Sequence, residues 1–281
     1  MTSPKNAQTS RATGKRFYSW RDEAYWSVTT LIAGGIPKPN LLPWGIKSVA
    51  EGAIKRRDTF QSMLKPCQTQ ETCEQGDFCA TCDETIRWLK SLPYITRDRA
   101  ADLGSNVHAA IEAHRLGKPM PPWPLGIKPY MVSFERFLTD FNPGYEMAEA
   151  SVYSRTQRYA GTLDAIVNLT LPLHTERGRF ILDAKSGKGV YPEVGLQLAA
   201  YRYAEFVGLP DGSEAPMPVV DGALALHLTP AGYRLIEVRA DETVFSYFLY
   251  AREVFRFGEE ISKTILGSEY GAQSQMALQA V

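Results

Sequence analysis

The chain has 281 residues, 44% of them hydrophobic, and its 31 lysines and arginines equal its 31 aspartates and glutamates. A chain of this length can bury one good core and a small subdomain. Its apolar runs are all much shorter than a membrane-spanning helix, which argues against a membrane protein. Its zero net charge argues against a surface coated with nucleic-acid-binding lysines.

Positive charge is concentrated near the beginning of the chain. The first 65 residues hold eleven lysines and arginines against four aspartates and glutamates, so the remainder has a net charge of −7. Aromatic residues alternate with these basic residues, which favours a surface that binds phosphates and stacks on bases. A solvated basic helix face with buried aromatics explains the pattern equally well. The candidate nucleic-acid-binding residues are Arg16, Arg21, Lys38, Lys47, Arg56 and Arg57.

The first 15 residues are polar and basic and lack the apolar core of a secretory leader. We expect a disordered arm there and a flexible tail at 267–281. Residues 16–98 are expected to form a basic helical region. Within it, the sequence predicts helices at Val49–Leu64 and Thr85–Leu92, separated by a cysteine-containing insert at 67–82.

All four cysteines of the chain lie in that insert, with the spacing Cys-x5-Cys-x5-Cys-x2-Cys. Four thiols so close together, with none elsewhere, favour a tetrahedral four-cysteine metal site over scattered core thiols. Two disulfides are the alternative, but a cytosolic setting disfavours them. The predicted ligands are Cys67, Cys73, Cys79 and Cys82.

The predicted core, residues 99–266, begins with a helix at Asp98–Arg115 that carries His108. Because an apolar stripe surrounds His108, a histidine buried in the core is one interpretation. Glu112, one turn later, can hold the other imidazole nitrogen or lie on the surface. After a proline-rich loop and a helix at Tyr130–Phe141, a strand at Glu146–Ser154 contains Glu149, which is either an additional site carboxylate or an ordinary edge-strand residue.

The next two predicted strands carry two aspartates and a lysine, a combination that can bind a divalent cation. Asp183 and Lys185 lie at the end of the strand Phe180–Lys185 with one residue between them, so their side chains point to the same face. Asp164 lies among apolar residues in the strand Tyr159–Leu169, where an unpaired carboxylate would be costly. A divalent cation between Asp164 and Asp183 would resolve that cost, and Lys185 would then neutralise charge in a transition state. Taken alone, Asp-x-Lys also occurs as a solvated surface pair.

The next predicted helix, Pro192–Phe206, carries Gln197 and Tyr201 on one face, four residues apart. Strands at Gly222–Leu228 and Tyr233–Val238 follow, and Asp241 is the expected N-cap of a final helix that runs to about Leu266. The order of helix, three strands, helix and strand predicts an α/β core in which helices flank a mixed sheet.

Several segments together resemble the RecB-like branch of the PD-(D/E)XK nuclease superfamily, which includes CRISPR-associated RecB-like exonucleases and many phage-encoded exonucleases. The resemblance covers Ser27–Val238, and its segments occur in the family's order. They are Ser27-Val28-Thr29-Thr30 with Pro37-Lys38-Pro39 and Trp44, the helix Gly104–Glu112, Gly161-Thr162-Leu163-Asp164, Asp183-Ala184-Lys185, and Gln197 with Tyr201.

The resemblance implies a restriction-endonuclease-like core with a catalytic Mg²⁺ or Mn²⁺ ion. It implies that His108, Asp164, Asp183 and the Ala184 carbonyl ligate the ion and that Lys185 is the catalytic lysine. Gln197 and Tyr201 would orient Lys185 or contact the nucleic acid backbone. Several relatives carry an iron-sulfur cluster, but they have one cysteine before the nuclease core and three after it. Here all four cysteines precede His108, so zinc is favoured and a cluster is the alternative.

These features predict a metal-dependent DNA exonuclease acting on single strands or duplex ends, in phage or bacterial DNA recombination, repair or replication. The expected partners are DNA and either a second copy of the chain or a recombination protein, with no membrane. The expected location is the cytoplasm, that of the bacterial host if the protein is phage-encoded. The alternatives are a structure-selective or RNA-directed nuclease of the same superfamily and a catalytically inert nucleic-acid-binding module.

Overall fold

A computed structural model describes residues 7–10, 14–64, 78–118, 126–172 and 174–268. In these residues, ten strands form one mixed sheet with helices on both faces, so the α/β class predicted from the sequence is confirmed. Most of the expected arm, of the expected tail and of the cysteine insert lies outside the described residues. None of the described helices has both the length and the apolar character needed to cross a membrane.

The sequence predicted a helical N-terminal region, but this part of the chain also contributes three strands to the sheet. Its elements are β1 (Ala7–Thr9), β2 (Arg16–Trp20), β3 (Glu23–Ser27), α1 (Val28–Gly35), α2 (Leu41–Lys55) and α3 (Arg57–Leu64). Strand β1, inside the expected disordered arm, pairs with β2. The β2–β3 hairpin turns at Arg21 and Asp22, which both have positive φ. Tyr18, Trp20 and Tyr25 are buried, so these aromatics form core and not a stacking surface.

Helix α4 (Ala80–Arg115) is continuous where the sequence predicted two helices separated near Pro93. Proline removes one helical hydrogen bond, but packing against neighbouring helices can retain the helical path. Here Leu92 packs against Gly52 of α2, and Trp88 stacks on Phe60 of α3 with ring centroids 6.1 Å apart. The helix therefore crosses the domain boundary expected at residue 98.

The rest of the chain follows the predicted order closely. Its elements are α5 (Lys128–Phe141), β4 (Gly144–Ser154), β5 (Tyr159–Leu169), β6 (Gly178–Lys185), α6 (Glu193–Arg202), β7 (Phe206–Gly208), β8 (Glu214–Pro216), β9 (Gly222–Thr229), β10 (Gly232–Val238), α7 (Glu242–Glu259) and a 3-10 turn at Ile261–Thr264. Helix α6 is shorter than predicted because β7 begins at Phe206. The Asp241 carboxylate accepts a hydrogen bond from the Val244 N–H and caps α7, as expected.

Strand β5 lies at the centre of the sheet and has an interrupted edge. Strand β4 pairs with β5 along one edge over almost its whole length. On the other edge, β3 pairs with residues 159–160 and β6 with residues 165–169. Residues 161–164 therefore have no strand partner on that edge. The interruption opens a gap between β3 and β6 in the middle of the sheet.

Two hydrophobic clusters cover the two faces of the sheet. One lies under α1, α6 and α7 and includes Leu163, Ile166, Phe248 and Phe255. The other lies under the second half of α4 and under α5, and it includes Ile111, Phe134, Phe137, Leu182 and Leu226. Strand β6, which pairs with β5 on one side and with β9 on the other, is buried between these layers. Its last residues emerge at the gap in β5.

The contact between α1 and α7 can be tested at Gly35. A Cβ atom at this position would lie 1.9 Å from the Ala251 carbonyl oxygen, so Gly35→Ala must push the helices apart. Overpacking of this kind costs about 1–3 kcal/mol, which urea unfolding measures. Gly45→Ala is the matched control, because position 45 is inside α2 with no atom within 4 Å. It should stabilise the protein by about 0.5–1 kcal/mol. Equal stability of the two variants would contradict the close packing.

Candidate active site

The gap between β3 and β6 forms a cleft of about 330 Å³. That volume is at the lower end for ligand pockets. All five predicted catalytic residues line the cleft, and so does His108; of the predicted Mg²⁺ or Mn²⁺ ligands, Ala184 is the one that is not part of the lining. The side chains that line it include those of Arg16, Tyr18, His108, Glu112, Glu149, Thr162, Asp164, Asp183, Lys185, Gln197 and Tyr201.

Asp164 lies where β5 and β6 separate. The last pair of their ladder is Ala165 with Leu182, so the two strands diverge immediately before Asp164 and Asp183. The Ala184 N–H donates a 2.8 Å hydrogen bond to Asp164 Oδ2 in place of a main-chain partner. This bond fixes one carboxylate oxygen of Asp164 against β6, which brings the two predicted acidic ligands to the same end of the cleft.

Asp183 is buried and belongs to a hydrogen-bonded row. Gln197 Nε2 donates to Asp183 Oδ1 at 3.1 Å and to the Tyr201 hydroxyl at 3.2 Å. Lys185 Nζ donates to Gln197 Oε1 at 3.3 Å. Burial raises the pKa of Asp183, and the nearby ammonium of Lys185 opposes that shift. The four side chains predicted at separate positions therefore form one connected row.

Asp183 Oδ2 has an incomplete set of partners. Lys185 Nζ lies 2.7 Å away in an ion pair, and this buried oxygen accepts no other hydrogen bond among the described residues. A buried carboxylate oxygen with a spare lone pair suits a hard cation. The donor set of Asp164 and Asp183 therefore fits Mg²⁺ or Mn²⁺, although within the described residues no three histidine, cysteine, aspartate or glutamate side chains form a ready metal site.

His108 reaches the cleft from α4 and is not buried in the core. Its Nδ1 lies 3.6 Å from Asp164 Oδ2, and 40% of its side chain is exposed. Glu112, one turn further along α4, also lines the cleft. The interpretation of His108 as a packed core histidine is wrong, and its position is compatible with a ligand beside Asp164.

Glu149 also lies in the cleft and is unusual in two ways. Its backbone has φ of +52°, a left-handed conformation that is uncommon for a residue other than glycine inside a strand. Burial, followed by the charge of Asp164, raises the pKa of Glu149 to about 7. Four carboxylates, those of Glu112, Glu149, Asp164 and Asp183, therefore converge on the cleft.

The predicted nucleic-acid-binding residues divide into two groups. Arg16 lines the cleft beside Tyr18, whose hydroxyl lies 3.1 Å from the Thr162 hydroxyl. Arg21 does not face the cleft but pairs with Glu214 at the far end of the hairpin. The remaining residues lie on or beside α2 and α3, outside the cleft: Lys38, Lys47, Arg56 and Arg57. Of these, Lys47 lies 3.6 Å from Glu51 and Arg57 3.8 Å from Asp58.

The predicted four-cysteine site is only partly within the described residues. Cys79 is the N-cap residue of α4 and Cys82 lies in its first turn. Cys67 and Cys73 lie outside the described residues. A structural zinc ion at these four cysteines, with an iron-sulfur cluster as the alternative, therefore stays a prediction.

Thr162, which lines the cleft, and Arg115, which lies beside it, were not predicted as site residues from the sequence. Thr162 is two residues before Asp164, so strand alternation alone would have placed both on one face. Arg115 follows His108 by seven residues and Glu112 by three, so all three share a face of α4. Helical spacing was therefore the available signal for Arg115.

Comparison with known proteins adds no relative. No protein-family model matches the chain. No curated protein matches it significantly in sequence.

The contact between Gly161 and Tyr201 can be tested by substitution. A Cβ atom at position 161 would lie 2.4 Å from the Tyr201 ring, which is buried and hydrogen-bonded to Gln197. Gly161→Ala should therefore displace the ring and cost about 1–3 kcal/mol in the free energy of unfolding. The same substitution in a Tyr201→Leu background should cost much less, because the clashing ring is gone. Equal penalties in the two backgrounds would contradict this contact.

Proposed function

We propose that the protein is a metal-dependent deoxyribonuclease of the RecB-like PD-(D/E)XK type, acting as an exonuclease on single strands or duplex ends. The observation that carries the proposal is the row of Lys185, Asp183, Gln197 and Tyr201 next to Asp164 at the interrupted edge of β5. Sequence motifs from four separate segments meet in that one cleft. The family resemblance implies such a meeting of motifs, so it supports the proposal, of which a restriction-endonuclease-like core is a part.

The charge of the cleft supports a role for a divalent cation. Four carboxylates line it, against the cationic Arg16 and Lys185. A nucleic acid backbone entering such a cleft would meet like charge, which costs free energy unless cations neutralise it. Asp164 and Asp183 would hold the ion, with His108 and the Ala184 carbonyl as further ligands. When bound, Mg²⁺ or Mn²⁺ polarises the phosphate and makes an attacking water more acidic.

The side chains of the chain itself supply positioning and positive charge. Gln197 holds Asp183 Oδ1 by its amide N–H and accepts a hydrogen bond from Lys185, so the carboxylate and the ammonium keep a fixed separation. Lys185 is then placed to donate to a phosphate oxygen as negative charge develops on it. Arg16 and the hydroxyls of Tyr18 and Thr162 also line the cleft, where they can bind a neighbouring phosphate.

The central test is a cleavage assay with Asp183→Asn and Lys185→Ala. Each substitution removes a charge from the row, so each should reduce cleavage of labelled DNA by a factor of 10³ or more (~4 kcal/mol) in Mg²⁺ or Mn²⁺ while the protein stays folded. The matched control is Lys188→Ala, three residues after Lys185 in the exposed loop, which should cleave at the parental rate. Cleavage by Lys185→Ala at the parental rate would contradict the site.

The choice of substrate in the same assay separates the rival functions. Degradation of linear DNA but not of circular DNA supports an exonuclease. Cleavage confined to branched DNA or to RNA would support a structure-selective or RNA-directed nuclease. Binding of nucleic acid without cleavage in either metal would support an inert binding module and contradict the proposal.

His108 allows a test of metal affinity. An imidazole among oxygen ligands suits Mn²⁺ better than Mg²⁺. His108→Ala should therefore raise the metal concentration needed for half-maximal cleavage about tenfold or more and reduce any preference for Mn²⁺. His114→Ala is a control, because His114 lies on the same helix but packs against Phe134. Unchanged metal titration curves for His108→Ala would remove His108 from the ligand set.

A further inference from the structure

Arg115 is a buried cation directly behind the cleft. Its side chain is 1% exposed, and its Nη1 donates a 2.9 Å hydrogen bond to the main-chain carbonyl of Asp164. The same nitrogen lies 3.7 Å from Glu149 Oε1. Its Nε and Nη2 are buried without a hydrogen bond of regular geometry among the described residues, and the guanidinium lies 5.4 Å from the centroid of the Tyr145 ring. Burying a guanidinium is costly, so its contacts with Asp164 on β5 and Glu149 on β4 suggest that it supports the structure of these two strands.

The two strands that Arg115 contacts are irregular at the same position. On β5, Leu163 packs in one hydrophobic cluster and Ala165 in the cluster on the opposite face, although residues two apart on a regular strand share a face. On β4, Met147 and Ala150 pack against the same cluster, although residues three apart should face opposite ways. The alternation of both strands therefore slips by one residue at Asp164 and Glu149.

The ladder between β4 and β5 shows the same interruption. Its pairs include Ala148 with Ala165 and Ala150 with Leu163, and the intervening pair of Glu149 with Asp164 is missing. Glu149 has the left-handed φ of +52° at this point, which is a costly conformation for any residue except glycine. Such an irregularity persists only where the surrounding structure holds it, and irregular strand positions beside active sites commonly redirect a side chain.

We propose that Arg115 is a positioning residue that holds this paired irregularity and thereby fixes the direction of Asp164 in the cleft. Its Nη1 contacts Asp164 on β5 and Glu149 on β4 at the position where both strands slip. If the side chains of β5 alternated regularly through Asp164, the residues before or after it would have to move to the opposite face of the sheet. The inference rests on the proposed function, because it assigns the position of Asp164 to metal binding.

The test compares Arg115→Met with Arg202→Met. Arg202 is a matched control, because it is also partly buried and donates to two main-chain carbonyls, those of Val220 and Ala240, away from the cleft. Both variants should lose stability. Only Arg115→Met should raise the dissociation constant for Mn²⁺, measured by calorimetry without nucleic acid, by about tenfold or more. Arg115→Lys, which keeps the charge but has one amine, should restore part of the affinity.

Amide hydrogen exchange provides a second readout that needs no metal. Arg115→Met should accelerate exchange at residues around Glu149 and Asp164, whereas Arg202→Met should leave those residues unchanged. A folded Arg115→Met protein with parental Mn²⁺ affinity and parental exchange would overturn the proposal. If the parental protein bound no Mn²⁺, the proposed function would fail, and the exchange rates would still decide whether Arg115 holds the two strands.

Discussion

The site depends on the interrupted edge of β5. A strand in the middle of a sheet normally pairs along both edges, and its polar backbone groups are then satisfied. In this protein β3 and β6 share one edge of β5 and leave four residues between them. The cleft exists because this gap is not filled by another strand. Helices α4 and α6 approach it from the two faces of the sheet and bring His108 on one side and Gln197 on the other.

Close packing keeps this gap in shape. Gly161, the first residue of the gap, allows the Tyr201 ring to lie directly against the β5 backbone. Tyr201 in turn accepts the hydrogen bond from Gln197. Burial of Asp183 is costly, and its contacts with Gln197 and Lys185 offset part of that cost. The position of Lys185 is thus tied through hydrogen bonds and van der Waals contact to a glycine on the neighbouring strand.

The sequence predicted some parts of this structure and not others, for physical reasons. Strands β5 and β6 have long apolar runs bounded by turn residues, and their bounds were predicted almost to the residue. The β2–β3 hairpin was missed because its aromatic and basic residues are also typical of a nucleic-acid-binding surface. The path of α4 through Pro93 depends on contacts with α2 and α3, which are distant in sequence. Local sequence patterns also cannot show that β3 and β6 share an edge of β5. The motifs therefore identified residues that line the cleft but not the strand pairing that forms it.

The hydrogen bonds of Gln197 give its amide group a fixed direction. Both protons of Nε2 are used, one by Asp183 and one by Tyr201, while Oε1 faces the ammonium of Lys185. A half-turn of the amide would place its oxygen against a carboxylate and its protons against a cation. Glutamate in its place would lose the two donors, and asparagine would be one methylene too short. The orientation of this neutral amide therefore depends on a negative charge at Asp183 and a positive charge at Lys185, and removing either charge would weaken one of the hydrogen bonds that hold it.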